Sequence, residues 1–269
     1  MEWWHALVLA VIQGLTEFLP VSSSGHLVLV PHLLGWSDQG LAFDVAVHVG
    51  TLLGVLVYFR RDLIPLATGA LGLLRGRTDD PYGRMAFNLI VATIPVGLVG
   101  LLFNDFIETK LRSPYVVAFQ LAVFGIVLWV ADRWSSRHRN ETSLSVGQAL
   151  LIGCAQALSL VPGTSRSGIT MSAGLALGLT REAAARFAFL LAIPGIGMAG
   201  AYEGYKFLSE PSGVAPREML IGLVASAVVG YACIHYFLRF IARIGFLPFT
   251  LYRLVLAAFI AALFWPPAG

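Results

Sequence analysis

Residues 13–26 read QGLTEFLPVSSSGH, and their part LPVSSSG at 19–25 interrupts an apolar stretch that runs from about residue 4 to residue 34. Proline removes a backbone donor and glycine loosens a helix, so the segment predicts two short helices around a polar break. A second apolar stretch, about 144–179, is broken in the same way by PGTSRSG at 162–168. Non-helical backbone at membrane depth is tolerated only where protein or a water-filled cavity satisfies it. We therefore expect two re-entrant helix–loop–helix hairpins, each entering and leaving by one membrane face; the alternative is one long kinked helix in each stretch.

The composition of the chain excludes several classes of protein. Its 269 residues are 57% hydrophobic and 12% charged, with a mean hydropathy of +0.78, whereas a soluble domain has about 25% charged residues. Disordered chains lack apolar residues, and two cysteines cannot form a disulfide framework or a four-ligand zinc site. A net charge of +3 gives no reason to expect a nucleic-acid partner. We expect an all-α polytopic membrane protein, a single integral membrane domain over 1–269 that lies in a lipid bilayer.

Transmembrane helices are the next prediction. A helix needs about 20 apolar residues to cross the hydrocarbon core. Six stretches outside the two broken regions satisfy this requirement, at about 42–59, 86–103, 114–131, 187–204, 218–238 and 249–265. The predicted architecture is therefore six transmembrane helices plus two re-entrant hairpins.

The two breaks resemble each other in sequence. QGLT at 13–16 matches QALS at 156–159, and SSSG at 22–25 matches SRSG at 165–168, both at an offset of 143 residues. Each hairpin is followed by three predicted spans, and an odd number of spans turns the second copy upside down. This pattern predicts an inverted repeat, with a first copy over 1–131 and a second over 144–266, whose broken helices meet near the midplane and build a binding site.

The basic residues predict the orientation. Twelve arginines fall on connections that share one membrane face, and four basic residues fall on the other face. The positive-inside rule places the first face in the cytoplasm and both termini outside, so the first hairpin enters from outside and the second from the cytoplasm. The first set is Arg60, Arg61, Arg75, Arg77, Arg84, Arg133, Arg137, Arg139, Arg181, Arg186, Arg239 and Arg243, and the second is Lys110, Arg112, Lys206 and Arg217.

A carboxylate lies in the first hairpin. Charged groups in a bilayer are costly and indicate function by default. Glu17 follows Gln13 by four residues, so the two side chains share one helical face. Their oxygens could hold a hard cation such as Mg²⁺. The alternative is a protonated glutamate that holds two helices together by hydrogen bonds.

The serine run beside Glu17 predicts a nucleophile. Ser23 and His26 are three residues apart and can meet across one helical turn, which is the pairing that activates a hydroxyl group. Ser22, Ser23 and Ser24 also supply caps and backbone N–H groups that can bind an anion. The alternative for this segment is a helix cap followed by a structural histidine.

An arginine occupies the second break. Arg166 is flanked by hydroxyl groups at Thr164, Ser165, Ser167 and Thr170. An arginine fork among hydroxyls at an open helix N-terminus is typical of phosphate binding, and the alternative is an arginine that caps loop carbonyls. If the two breaks meet, a carboxylate, a nucleophile, a base and a guanidinium converge, and phosphoryl transfer needs this set.

Other intramembrane polar residues give weaker signals. Asp44 and His48 form an i, i+4 pair in the first span, which suits either the lining of the same cavity or helix–helix hydrogen bonding. Arg253 lies early in the last span, where we expect it to snorkel to the cytoplasmic interface.

Taken together, the motifs resemble those of the bacitracin-resistance type of undecaprenyl-diphosphate phosphatase. The similarity rests on QGLTEFLPVSSSGH at 13–26 and on PGTSRSGIT at 162–170, and it extends over nearly the whole chain, including FLPF at 246–249. The resemblance implies hydrolysis of a C55 isoprenyl diphosphate to its monophosphate and phosphate, which recycles the lipid carrier of cell-wall glycans. It also implies a site toward the outer face of the bacterial plasma membrane and a divalent cation, Mg²⁺ or Ca²⁺.

The family's roles can be carried onto this chain residue by residue. Glu17 with Gln13 would bind metal and diphosphate. Ser23 would attack the terminal phosphorus, with His26 as the base and then as the leaving-group acid, although the sequence does not decide which of the two receives the phosphoryl group. The residues that would hold the diphosphate are Arg166, Ser165 and Thr164, with Ser22, Ser24 and Ser167.

A different class of protein remains as an alternative. A small inverted-repeat transporter or lipid flippase could use the same architecture, but transport does not require Ser23 and His26 together. A homodimer is one assembly that the sequence allows. A second superfamily of membrane phosphatases is excluded because the histidine it needs six residues after Arg166 is replaced by Ser172.

Overall fold

The computed structural model describes residues 1–111, 113–209 and 215–264. These residues form eleven α-helices and two short 3-10 turns, and within the described ranges there is no strand. The all-helical prediction is confirmed. The helices are α1 Trp3–Thr16, α2 Ser23–Leu34, α3 Leu41–Tyr58, α4 Arg60–Leu74, α5 Pro81–Lys110, α6 Pro114–Trp134, α7 Val146–Ala157, α8 Arg166–Ala176, α9 Arg181–Ser209, α10 Pro216–Ile244 and α11 Leu247–Leu263.

Several helices have the dimensions of membrane spans. By length and hydropathy, α3, α6, α10 and the segment Pro81–Phe103 of α5 can each cross a bilayer. The two other predicted spans coincide with α9, of 29 residues, and α11, of 17 residues. The predicted end of the last span, residue 265, lies outside the described residues. The chain is a multi-pass membrane protein.

Helix starts are specified by local sequence. α5 begins with Pro81 after Asp80, whose side chain accepts from the Tyr82 N–H, and α6 begins with Pro114 after a capping serine. Ser145 and Gln148 form a capping box at the start of α7. These caps satisfy backbone donors that a helix leaves free.

The sequence analysis did not predict α4. Arg60, Arg61 and Pro65 interrupt its apolar pattern, so it reads neither as a span nor as a long amphipathic helix. Packing on α5 explains why it forms. A Cβ atom on Gly69 would lie 2.4 Å from the backbone nitrogen of Gly83, so only glycine allows the two helices to come this close.

Both broken regions are pairs of short helices. α1 and α2 contact each other, as do α7 and α8, and neither pair is one kinked helix. The residue before the second helix of each pair is a serine with a left-handed backbone, φ 73° at Ser22 and φ 71° at Ser165. A positive φ is rare for residues other than glycine. It turns the chain sharply before α2 and α8 begin.

Two sets of contacts define two ends of the molecule. Arg181 pairs with Asp132 and donates to the Ala242 carbonyl, and Arg186 pairs with Asp62 and Glu141. We call the end that contains these contacts the arginine face. Arg181 and Arg186, both of which the sequence analysis predicts to be cytoplasmic, lie at this end.

The opposite end carries the start of α1 and the end of α11. Trp4 packs against Trp36, His32 packs against Phe264, and the Tyr115 hydroxyl donates to the Phe264 carbonyl. We call this end the terminal face. Of the four basic residues predicted for this face, Arg112 and the side chain of Lys206 lie outside the described structure.

Candidate active site

Glu17 lies where α1 ends, at the start of the first break, and it is 7% exposed. Oε1 is 2.5 Å from Nη2 of Arg166. Oε2 accepts hydrogen bonds from Gln13 Nε2 at 2.9 Å and from the Ser23 hydroxyl at 2.6 Å. An arginine and two polar donors therefore surround the carboxylate, an environment that favours its ionised form over the protonated form of the alternative interpretation.

Arg166 brings the second break to the first. It is the first residue of α8, and the ion pair with Glu17 spans 149 residues of sequence. Its other terminal nitrogen is 3.4 Å from the Ala192 carbonyl, a weak contact, so carbonyl capping is the lesser interaction. The Ser167 hydroxyl adds a second link, because it donates to the Leu19 carbonyl at 3.0 Å. The two breaks meet.

Ser23 and His26 do not form the predicted hydrogen-bonded pair. His26 Nδ1 is 2.7 Å from the Ser22 carbonyl, and Nε2 is 2.5 Å from the Tyr252 hydroxyl. A carbonyl only accepts, so Nδ1 carries a proton, and when the ring is neutral the Tyr252 hydroxyl donates to Nε2. The i, i+3 spacing placed the two side chains on one helical face, but backbone and tyrosine partners occupy both ring nitrogens. The group that contacts the Ser23 hydroxyl is Glu17.

The other predicted diphosphate ligands lie in the two breaks. Ser22 and Ser24 have hydroxyl oxygens 3.4 Å apart, and Ser165 and Ser167 form the equivalent pair at 3.3 Å. Thr164 is fully buried, and its hydroxyl has no partner among the described residues. These hydroxyl groups can donate to a phosphate that enters between the breaks.

His48 belongs to the site, as one of the two interpretations of the Asp44–His48 pair predicts. Its Nε2 is 3.7 Å from Oε2 of Glu17, and its Nδ1 is 2.7 Å from the Asp44 carbonyl. The Asp44 carboxylate itself accepts from Gln39 at 2.9 Å. α3 therefore contributes a ring next to the carboxylate.

The prediction for Arg253 is wrong. The residue is fully buried, and its guanidinium donates to five backbone carbonyls instead of reaching an interface. Tyr252, which holds His26, was also missed. For Arg253 the available signal was its place inside an apolar span, where a charged residue by default indicates function. The sequence alone does not tell which way a side chain on α11 points.

The donors for a metal ion are few. Within the described ranges no group of three His, Cys, Asp or Glu residues could hold a metal. The oxygens at hand are the Glu17 carboxylate and Oε1 of Gln13, which is buried without a partner among the described residues. Mg²⁺ is commonly held by one or two carboxylates together with substrate phosphates and water. The residues fit a cation shared with a phosphorylated substrate, and they do not form a cage made only of protein.

The charges favour an anionic ligand. Glu17 is the carboxylate that meets both breaks, and two guanidinium groups, those of Arg166 and the buried Arg253, contact the breaks. Guanidinium groups beside hydroxyl groups attract phosphate. Fold and site together define an all-helical, multi-pass membrane protein with an embedded serine–carboxylate–arginine centre.

Comparison with known proteins identifies the family. The chain belongs to the bacitracin resistance protein BacA family, whose model matches residues 6–259. It is 54% identical to the undecaprenyl-diphosphatase of Teredinibacter turnerae over 95% of this chain and 97% of that relative. It is 53% identical to the undecaprenyl-diphosphatase of Saccharophagus degradans and 51% identical to undecaprenyl-diphosphatase 2 of Stutzerimonas stutzeri, each over 98% of this chain and 99% of the relative.

Proposed function

We propose that the protein is an undecaprenyl-diphosphate phosphatase, which hydrolyses the C55 isoprenyl diphosphate to its monophosphate and phosphate. Relatives 50–54% identical over nearly the whole chain carry this name. The observation that carries the mechanism is the Ser23 hydroxyl, 2.6 Å from the Glu17 carboxylate that also pairs with Arg166. An embedded site suits a substrate whose tail stays in lipid while its head group enters a polar pocket. The product is the lipid carrier of cell-wall synthesis.

Ser23 is the nucleophile in this proposal. Its Oγ bonds to the terminal phosphorus, the bond from that phosphorus to the bridging oxygen breaks, and undecaprenyl phosphate leaves with the electron pair. The hydroxyl proton passes to Glu17, which is within hydrogen-bond distance. Water then attacks the phosphorus of the phosphoserine, the bond from phosphorus to Ser23 Oγ breaks, and Oγ takes back the proton that Glu17 holds. Both protons of the water stay with the phosphate that is released. The geometry favours Glu17 over His26 as the base, and it gives His26 the role of holding the Ser22 carbonyl.

Arg166 binds the diphosphate. In the structure its fork contacts Glu17, and a phosphate with two or more charges competes for the same donors. The hydroxyl groups of Ser165, Ser167 and Thr164 lie in the same break, and those of Ser22 and Ser24 lie in the first break. Charge that develops on the leaving oxygen is stabilised by these preorganised donors.

A divalent cation, Mg²⁺ or Ca²⁺, is part of the proposal. Glu17 and Oε1 of Gln13 would hold it together with the substrate phosphates, and it would supply charge neutralisation. The unpartnered, buried amide oxygen of Gln13 supports this assignment. Excess EDTA is expected to abolish phosphate release and added Mg²⁺ or Ca²⁺ to restore it. Full activity in EDTA would instead favour a carboxylate that acts through hydrogen bonds alone.

The membrane arrangement is also proposed. Six spans and two re-entrant hairpins form an inverted repeat, with copies over 1–131 and 144–266. The left-handed Ser22 and Ser165, 143 residues apart, support it, as do the buried Gln13 and Gln156 at the same offset. The packing of α1 on α10 and of α7 on α5 has the reciprocal pattern that such a repeat produces.

The orientation follows from charge. The arginine face lies in the cytoplasm and the terminal face, with both chain ends, lies outside the plasma membrane of a bacterial cell. The first hairpin then opens outward, and the site receives its substrate toward the outer face. The gathering of Arg181 and Arg186 at one end supports this assignment.

Phosphate release from purified protein tests the function. The parent protein is expected to release phosphate from C55 diphosphate, and less readily from a C15 diphosphate. Ser23→Ala should lose at least about 100-fold in kcat, whereas Ser136→Ala, an exposed serine on the arginine face, should match the parent. A parent protein without phosphatase activity that moves lipid between leaflets would favour the flippase alternative and overturn the proposal.

A further inference from the structure

Arg253 of α11 is the most fully bonded side chain in the described structure that the proposed chemistry does not use. Nε donates to the Leu121 carbonyl at 3.0 Å, and Nη1 donates to the Pro20 carbonyl at 3.1 Å. Nη2 contacts the carbonyls of Gln120, Gly163 and Thr164 at 3.2, 3.0 and 2.9 Å. One guanidinium therefore joins α6, the first break and the second break.

Three of the five carbonyls that it binds, those of Pro20, Gly163 and Thr164, lie in the two breaks. Pro20 and Gly163 lie 143 residues apart, so they hold equivalent places in the two matching motifs. Irregular backbone at membrane depth needs partners for its polar groups, since lipid supplies none. The five donors of an arginine fork, which stays charged when buried, suit this task better than any other side chain.

Two glycines, Gly125 and Gly168, leave room for the Arg253 side chain. A Cβ on Gly125 of α6 would lie 3.2 Å from Cβ of Arg253, and a Cβ on Gly168 of α8 would lie 2.9 Å from its Nη1. Thr250, one turn earlier on α11, donates to the Gly125 carbonyl at 2.9 Å. These contacts fix α11 against α6 and aim the arginine between the two breaks.

The consequence concerns the catalytic pair. Glu17 lies three residues before Pro20, and Arg166 lies two residues after Thr164. Their 2.5 Å contact depends on the separation of the two breaks. We propose that Arg253 is a positioning residue, which holds the first and second breaks in the register that aligns Ser23, Glu17 and Arg166 on the diphosphate. This inference rests on the proposed phosphatase function.

The proposal makes a specific kinetic prediction. Each break keeps its own hydroxyl groups when Arg253 is removed, so substrate still binds, but attack requires both breaks in alignment. Arg253→Ala is expected to lower kcat by about 100-fold, the cost of a displacement of about 1 Å between reacting groups. KM should stay within about threefold of the parent. Arg243→Ala, an exposed arginine on the preceding helix, is the matched control and should change neither constant.

Chemical rescue separates positioning from bulk packing. The alanine variant leaves a space ringed by carbonyls, and guanidinium ion can refill it with the same donors, whereas tetramethylammonium has none. Guanidinium should raise kcat of Arg253→Ala at least about tenfold and leave Arg243→Ala unchanged. Arg253→Lys keeps the charge without the planar fork, so its kcat should fall while its melting temperature stays close to that of the parent.

Several results would overturn the inference while leaving the phosphatase function intact. One is an Arg253→Ala protein whose kcat lies within about threefold of the parent. Another is an inactive Arg253→Ala protein that guanidinium does not restore. If the alanine variant does not fold, Arg253→Lys decides: a lower melting temperature with unchanged kcat would make Arg253 a structural residue only. A parent protein that releases no phosphate would instead refute the proposed function.

Discussion

At the residue scale, the chemistry depends on Glu17, which accepts from Ser23 and Gln13 and pairs with Arg166. Glutamine has nearly the same shape but cannot take a proton from Ser23. We expect Glu17→Gln to lower kcat by about 10²–10⁴-fold, the range of a lost general base. Phosphate release in detergent measures this. Glu182→Gln, at the start of α9 on the arginine face, is the control, and a Glu17→Gln kcat within about tenfold of the parent would remove Glu17 as the base.

Tyr252 is a residue that acts through His26. Its hydroxyl donates to Nε2 at 2.5 Å, and its ring lies nearly parallel to the imidazole. Tyr252→Phe should lower kcat by about tenfold because Nε2 of the histidine loses its hydrogen-bond partner. In a double-mutant cycle, His26→Ala with Tyr252→Phe should be no slower than His26→Ala alone. Fully additive losses would show that the two residues act separately.

At the residue scale, the sequence predicted which residues belong to the site better than it predicted which of their side chains contact each other. Gln13, Glu17, Ser23 and Arg166 were predicted as site residues because a charge or hydroxyl run inside an apolar stretch needs a reason to be there, and the structure brings these four together. The Ser23–His26 hydrogen bond was wrong because spacing places side chains on a face without deciding which of several acceptors each one meets.

At the element scale, apolar length and helix-breaking residues were enough to predict every described helix except α4, and to predict both breaks. The six spans were predicted from runs of about 20 apolar residues. The two helix pairs were predicted from proline and glycine at the breaks. What could not be predicted depends on contacts between elements. α4 forms through its packing on α5, and the direction of Arg253 is set by α6 and the two breaks.

Close helix packing gives a prediction at this scale. A Cβ on Gly153 of α7 would lie 2.4 Å from the Ala92 carbonyl oxygen of α5, whereas a Cβ on Gly147 of the same helix would meet nothing within 4 Å. Gly153→Ala should destabilise the protein by about 1–3 kcal/mol, and Gly147→Ala should leave it unchanged or slightly more stable. Melting temperatures in detergent compare the two, and equal values would contradict the packing of α7 on α5.

At the scale of the whole molecule, the arginine face and the terminal face lie at opposite ends of the helices, and the site lies where the two breaks meet. The ion pairs of Arg181 with Asp132 and of Arg186 with Asp62 join connections that are far apart in sequence at the arginine face. Which end faces the cytoplasm depends on the positive-inside rule alone.

Cysteine labelling tests that orientation. In a background with Cys154→Ala and Cys233→Ala, a cysteine at the exposed Asp38 on the terminal face should react with an impermeant maleimide in intact cells. A cysteine at the exposed Ser136 on the arginine face should react only after the membrane is opened. The reverse pattern would invert the proposed topology and place the site's opening toward the cytoplasm.

The central claim is that Ser23 carries the phosphoryl group, with Glu17 as its base and Arg166 on the diphosphate. The most direct test is to quench the purified protein in acid during turnover of C55 diphosphate and to locate covalent phosphate by peptide mass spectrometry. The account predicts phosphoserine at Ser23, absent from the Glu17→Gln protein and present in the Ser136→Ala control. Phosphate on His26, or on neither residue while a Ser23→Ala protein continues to release phosphate, would contradict it.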